Sequence, residues 1–199
     1  RFAQVSHEYL IEQVQRSIYS GNKKSIDLKL NHPVKEIIWT IQNINVISSK
    51  TTNTDNNASL NTQENLLNGN DYFCYSSLNK PAEPDMVEYI NYAESYESFD
   101  KFNIKLNGHD RFSKQKASYF RLIQPFQCGH KVPTKHIYLY SFALTPAKHQ
   151  PSGTCNFSRI ENAELSFTKV RPDSNINIYA INYNILRIMS GMGGLAYSN

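Results

Sequence analysis

The segments ENAELSFTKV (residues 161–170) and NINIYAINYNILRIMSGMGGLAYSN (175–199) decide the fold of this chain. Both are rich in Ile, Leu, Phe or Tyr and are bounded by Asn, Pro, Ser or Gly, which is the pattern of packed antiparallel strands. In the first segment Ala163, Leu165 and Phe167 share one face while polar residues share the other. This alternation predicts a strand in a sheet that is covered on one side.

The strand that follows is apolar on both faces. One face carries Ile176, Ile178 and Ala180, and the other carries Tyr179, Ile181 and Tyr183. Such a strand lies in the interior of a sandwich or contacts a second domain or subunit. Three glycines after it let the backbone pass close to something packed against it. The predicted assembly contacts are therefore Ile176, Ile178, Tyr179, Ile181, Tyr183, Gly191, Gly193 and Gly194.

Earlier segments repeat the two-residue alternation. The further predicted strands are residues 25–30, 34–42, 99–108 and 136–144, and residues 7–15 fit a strand or a helix by periodicity alone. Trp39 is expected to anchor the core, and Asn107 with Gly108 predicts a tight turn. One short helix, residues 113–120 with Ser113 as its cap, precedes a connector over residues 121–135. At least seven strands without a strand–helix repeat predict an all-β sandwich.

Long segments of the chain resemble one protein family. VPTKHIYLYSFALTPAKHQPSGTCNFSRIENAELSF (132–167) and NYNILRIMSGMGGLAYSN (182–199) are similar to the C-terminal half of the major capsid protein of nucleocytoplasmic large DNA viruses. RFAQVSHEYLIEQVQ, HPVKEIIW and NGHDRF add to the likeness. The resemblance implies a jelly-roll β-sandwich, the second of two tandem jelly rolls in a subunit, and it favours a strand for residues 7–15.

The resemblance also implies a function. The subunits of the family self-assemble into trimeric, pseudo-hexagonal capsomers that tile an icosahedral shell. Expected partners are the chain itself, neighbouring capsomers, and minor capsid and penton proteins. The expected location is the virion, with assembly in the host cytoplasm.

The 199 residues are predicted to form a single jelly-roll domain, residues 1–199, that is the C-terminal half of a longer chain. Within it, residues 43–98 read as a long variable surface insertion. The first half of that stretch is dominated by Asn, Ser and Thr, and its few apolar residues show no regular spacing. It therefore lacks the apolar residues for a core of its own. Asn57 matches the N-glycosylation pattern in this insertion, although a chance match is the other interpretation.

Charge and cysteine content exclude several classes of function. The net charge of +4 is spread along the chain, whereas binding to phosphates requires clustered Lys and Arg, so we expect no direct contact with nucleic acid. No apolar run approaches the roughly 20 residues of a transmembrane helix. The three cysteines are odd in number and widely spaced, which argues against a disulfide framework and favours a reducing compartment.

No pattern of residues indicates a reaction centre. Cys128, His130, His149 and Cys155 lack the paired spacing of zinc ligands. Ser190 lacks the context of a catalytic nucleophile, and the acidic residues fall in polar stretches where carboxylates keep an ordinary pKa. We therefore predict no enzyme, no cofactor and no metal. The alternative function is a lectin-like jelly roll that binds a host glycan or receptor through its Asn-rich loop.

Overall fold

Two antiparallel sheets face each other in the computed structural model, which describes residues 4–21, 23–43, 73, 75, 97–170 and 174–197. The strands are β1 (His7–Ser20), β2 (Ser25–Asp27), β3 (Pro33–Asn43), β4 (Lys101–Leu106), β5 (His109–Asp110), β6 (Gln115–Lys116), β7 (Tyr138–Ser141), β8 (Cys155–Asn156), β9 (Ala163–Thr168), β10 (Ser174–Met189) and β11 (Met192–Leu195). The first sheet has the order β1-β10-β3-β7, and the second has the order β2-β9-β4-β5. Three short strands flank them: β8 pairs with β3, β11 with β10, and β6 with β4.

Strands that are distant in sequence lie side by side in both sheets. The first strand pairs with the tenth over their whole common length, from His7 opposite Ile188 to Ser20 opposite Asn175. In the second sheet β9 lies between β2 and β4. These long-range antiparallel pairings are those of a jelly roll, so the predicted all-β sandwich is confirmed.

The core lies between the inward faces of the two sheets, with Trp39 of β3 at its centre. The indole ring lies 4.5 Å from the ring of Phe102 in the opposite sheet, measured between centroids. It also contacts the rings of Phe99, Phe120, Tyr138 and Phe167. Since all of these rings are buried, the prediction that Trp39 anchors the core is confirmed.

The inward-facing residues follow the two-residue alternation of the sequence. Ala163, Leu165 and Phe167 are buried on β9, as expected, and so are Ile37 and Ile41 on β3. Asn107 and Gly108 form the predicted tight turn between β4 and β5, with φ angles of 51° and 82°. Residues 7–15 belong to β1, which settles their ambiguity in favour of a strand.

The predicted helix over residues 113–120 is correct only in its second half. Gln115 and Lys116 form β6, which pairs with Phe102 and Lys101 of β4, because the free edge of β4 offers its backbone groups as partners. Helical structure begins at Ala117, not after Ser113. It continues into the predicted connector as a π-helical turn (Tyr119–Ile123) and a short helix α1 (Gln124–Gln127). This shift turns Phe120 into the core.

Two of the predicted strands are shorter in the structure than in the sequence pattern. Residues 136–144 contribute only β7, and residues 25–30 contribute only β2. Leu28 and Leu30 nevertheless remain buried in the core, so their side chains follow the predicted alternation although their backbone leaves the sheet. A 3₁₀ turn (Phe157–Arg159) follows β8.

Candidate assembly surfaces

The outward face of the first sheet carries a group of apolar side chains, which we call the outer strip. Its members lie on three neighbouring strands: Val14 and Ile18 on β1, Tyr179 and Ile181 on β10, and Ile38 on β3. Val14 is opposite Ile181, and Ile38 is opposite Tyr179, and directly opposed residues point to the same face. Val14 is 63% exposed and Ile18 is 53% exposed, so this apolar surface is open to solvent.

A charged side chain lies within the outer strip. Arg16 stands between Val14 and Ile18 on β1 and opposite Tyr179 on β10. Its guanidinium lies 5.8 Å from the centre of the Tyr179 ring and donates a hydrogen bond of 3.3 Å to the Asn177 side-chain oxygen. Both contacts join β1 to β10. The strip is therefore an exposed apolar surface interrupted by one arginine, and arginine is among the residues enriched at protein interfaces.

Buried charges on the same sheet face hold two loops against the strands. The Lys35 ammonium lies 2.6 Å from the Glu12 carboxylate and donates to the backbone oxygen of Pro146 at 2.8 Å. Next to it, the Glu36 carboxylate lies 2.9 Å from Nε2 of His130. These contacts cover one end of the sheet face, and the outer strip begins beyond them.

The hairpin of β10 and β11 forms a second surface. Its turn places Ser190 and Gly191 at φ angles of 53° and 79°, a two-residue turn that matches the twist of antiparallel strands. Gly194 has no described atom within 4 Å of where a Cβ would lie, and Gly193 has only Ile188, at 3.8 Å. Within the described part of the chain, little therefore packs against these two glycines.

Exposed apolar side chains surround that hairpin. Met189, Met192, Leu195 and Tyr197 are all exposed, and the sequence from 188 to 197 contains no charged residue. A cleft of about 420 Å³ adjoins the hairpin and is lined in part by Leu10, Pro33, Ile185 and Tyr197. Natural sheet edges are usually protected by charges, proline or a bulge, and the β11 edge has no charge or proline.

The predicted contact residues divide between the interior and the surface. Ile176 and Ile178 are fully buried between the sheets, and Tyr183 is buried on β10. Tyr179 and Ile181 are half-buried on the outer strip, and Gly191, Gly193 and Gly194 are exposed in the hairpin. The alternation of β10 predicted two apolar faces, and the structure shows that the face of Ile176 and Ile178 is the interior one.

Sequence reasoning missed Val14, Ile18 and Ile38. Their signal was present, because Leu10, Val14 and Ile18 recur at even positions of β1 among polar neighbours. Residues 7–15 alone did not distinguish strand from helix, and four-residue spacing is also helical. The pairing with β10 resolves the face on which these side chains lie.

Among the residues that the structure describes, no three His, Cys, Asp or Glu side chains come together as a metal site. Cys128 and Cys155 are free thiols, and burial raises the pKa of both. No helix in the described ranges is long and apolar enough to cross a membrane. Asn57 and most of the predicted insertion lie outside those ranges.

Solved structures place this jelly roll among virus capsid proteins. A structure described as the PBCV-1 virus capsid superimposes with a TM-score of 0.70 and 35% sequence identity, over all of this chain and 53% of the other. In sequence, the chain is 39% identical to the major capsid protein of Paramecium bursaria Chlorella virus 1 over 234 residues, which cover all of this chain and 50% of the relative. It is 37% identical to the major capsid protein of Pyramimonas orientalis virus over 222 residues, which cover all of this chain and 45% of the relative.

The sequence model for the large eukaryotic DNA virus major capsid protein matches residues 1–194. The chain belongs to this family, as its sequence predicted. It spans about half the length of the curated relatives it matches. The relatives are structural capsid proteins, so family membership confirms the prediction that the chain is not an enzyme. Nothing in the comparisons supports the alternative of a lectin-like module.

Proposed function

We propose that this chain is one of two jelly rolls in a capsid subunit and that it acts by self-assembly. In this proposal three subunits form a pseudo-hexagonal capsomer, and capsomers tile the icosahedral shell of a virion. The outer strip carries the proposal, since Val14 and Ile18 are more than half exposed on a regular sheet face. Exposed apolar side chains grouped on one sheet face, as here, mark interaction sites.

The other jelly roll of the same subunit is the occupant that we propose for the outer strip. The chain covers about half of its relatives, which leaves room for a second domain of similar size. The strip spans three paired strands, and one sheet face packs well against another. Burial of Tyr179 and Ile181, which are half-covered within this chain, would then be completed by that domain.

The hairpin is the second proposed contact, between subunits. Among the described strands β11 pairs only with β10, which leaves its other edge open, and no charge between residues 188 and 197 opposes a neighbour. Each such contact is small. A shell repeats this contact many times, and many weak contacts together stabilise an assembly that one such contact would not.

The first test is the mass of the full-length protein in native buffer, measured by light scattering. A stable trimer of a subunit well above 22.9 kDa is the expected result. A monomer of 22.9 kDa from the complete gene would contradict both the trimer and the second jelly roll. Contacts with minor capsid and penton proteins, and assembly in the host cytoplasm, stay predictions from the resemblance.

Two variants separate the two surfaces. A V14K/I18K double variant of the full-length protein should fold but lose the packing of its two jelly rolls, which protease sensitivity between the domains would reveal. Asn162→Lys, in an exposed turn of the other sheet, is the matched control and should behave as wild type. Deletion of residues 191–199 should weaken the trimer, and trimers that survive this deletion would show that the hairpin is not an intersubunit contact.

A further inference from the structure

A buried polar network joins three parts of the chain at one end of the sandwich. The Glu97 carboxylate accepts a hydrogen bond of 2.9 Å from Nε of Arg121 on one oxygen and one of 2.7 Å from the Tyr138 hydroxyl on the other. The Tyr138 oxygen in turn accepts from the backbone N–H of Ser98 at 3.3 Å. Residues 97–98, the π-helical turn and β7 are thereby tied together just before β4 begins.

His136 lies beside this network without a hydrogen bond on one of its nitrogens. The side chain is buried, and Nε2 has no hydrogen-bond partner among the described residues. Glu97 and Arg121 are the described groups whose charges act on the ring. The neighbouring Lys135 takes no part, because its ammonium is directed at Phe73.

We propose that His136 makes this network an acid-sensitive clamp on residues 97–98. With a neutral imidazole, the Glu97 carboxylate is paired with the Arg121 guanidinium. A proton on His136 adds a second buried cation, which competes with Arg121 for Glu97 and carries a desolvation cost of its own. Loss of the Glu97 contacts frees the Tyr138 hydroxyl and, through it, the Ser98 backbone.

The pH range of the clamp follows from the environment of the ring. Burial lowers the pKa of His136 and the positive charge of Arg121 lowers it further, while Glu97 raises it by less than these combined. The unfolded chain therefore binds the proton first, at its ordinary pKa of about 6.5. The stability that the neutral His136 ring contributes to the folded state is fully present above that pH. It is lost progressively as the pH falls from about 6.5 toward the pKa of His136 in the folded state.

Hydrogen exchange of the Ser98 amide tests the clamp, measured from pH 7.5 to 5 and corrected for the intrinsic rate. Wild type should lose protection at this amide as the pH falls, and His136→Phe, which cannot take up a proton, should keep it. The Asp100 amide, which donates to the Thr168 backbone oxygen on β9, should stay protected in both. His109→Gln, which changes an exposed histidine, is the control and should follow wild type. Equal pH dependence in wild type and His136→Phe would overturn the proposal.

A measurement on the wild-type protein covers the case in which His136→Phe does not fold. Proton NMR of the His136 ring should give an apparent pKa below the ordinary value of about 6.5. If His136 titrates at the ordinary value, its protonation costs the folded state nothing and the clamp is ruled out. Neither experiment requires assembly, so its outcome is independent of the proposed capsomer.

Discussion

Lys35 on β3 places its ammonium nitrogen 2.6 Å from the carboxylate of Glu12 on β1, so one ion pair crosses the full width of β10. Beneath the pair lies the Tyr183 ring of β10, whose centre is 5.7 Å from the ammonium. The Lys35 side chain is almost fully buried, whereas a third of the Glu12 side chain is exposed. The pair therefore links three strands on the sheet face that also carries the outer strip.

Removing the Glu12 charge should leave the Lys35 charge buried without its partner. We expect Glu12→Gln to lower the free energy of unfolding by about 1–3 kcal/mol, less than the ~3–5 kcal/mol of a fully buried pair, because Glu12 is partly solvated. Urea unfolding of E12Q, K35M and the double variant measures the coupling. In the double variant the loss should be smaller than the two single losses combined, and strict additivity would contradict the coupling.

Truncating Trp39 should open the core between the sheets. We expect Trp39→Ala to cost about 3–5 kcal/mol, since the indole is fully buried among aromatic rings. Trp39→Phe should cost less, because a ring remains and the indole N–H, which has no hydrogen-bond partner among the described residues, is removed. Thermal unfolding compares them with Phe126→Ala, an exposed site where less than about 0.5 kcal/mol is expected. Equal losses at both sites would contradict the central role of Trp39.

Gly153 should not tolerate a side chain. Its φ angle is 144°, and a Cβ there would lie 2.8 Å from the backbone oxygen of Phe142. Gly153→Ala should therefore lower the unfolding midpoint in urea by an amount equivalent to at least about 1 kcal/mol. Gly194→Ala, with open space around the Cβ position, should be close to neutral for the stability of the isolated chain. A neutral Gly153→Ala would show that the loop moves aside.

Alkylation should distinguish the two described thiols. Burial raises the pKa of Cys128, and the hydrogen bond from Ser141 offsets this only in part. Because the thiolate is the reactive form, iodoacetamide at pH 8 should modify buried Cys128 more slowly than half-buried Cys155, as followed by peptide mass spectrometry. Both should react alike in guanidinium chloride. Equal rates in the native protein would contradict the protection of Cys128.

Strand alternation and the long segments that resemble the family were enough to predict the jelly roll, the role of Trp39 and the two apolar faces of β10. These features are local, because side chains alternate across any strand whatever its partner. The sequence likewise contained the family resemblance that residues 1–194 confirm. The first half of the helix predicted over residues 113–120 is a strand instead, because local propensity does not register the free edge of β4, which pairs with Gln115 and Lys116.

Only the tertiary structure decided which apolar residues are left for a partner. Ile178 and Tyr179 are neighbours in sequence with similar apolar character, yet the first is fully buried and the second borders solvent beside Val14. The same holds for Glu97, Arg121 and His136, which lie far apart along the chain in polar and connecting segments and meet at one end of the sandwich. Burial and charge coupling depend on contacts between distant segments, and a single sequence specifies those contacts only through the complete fold.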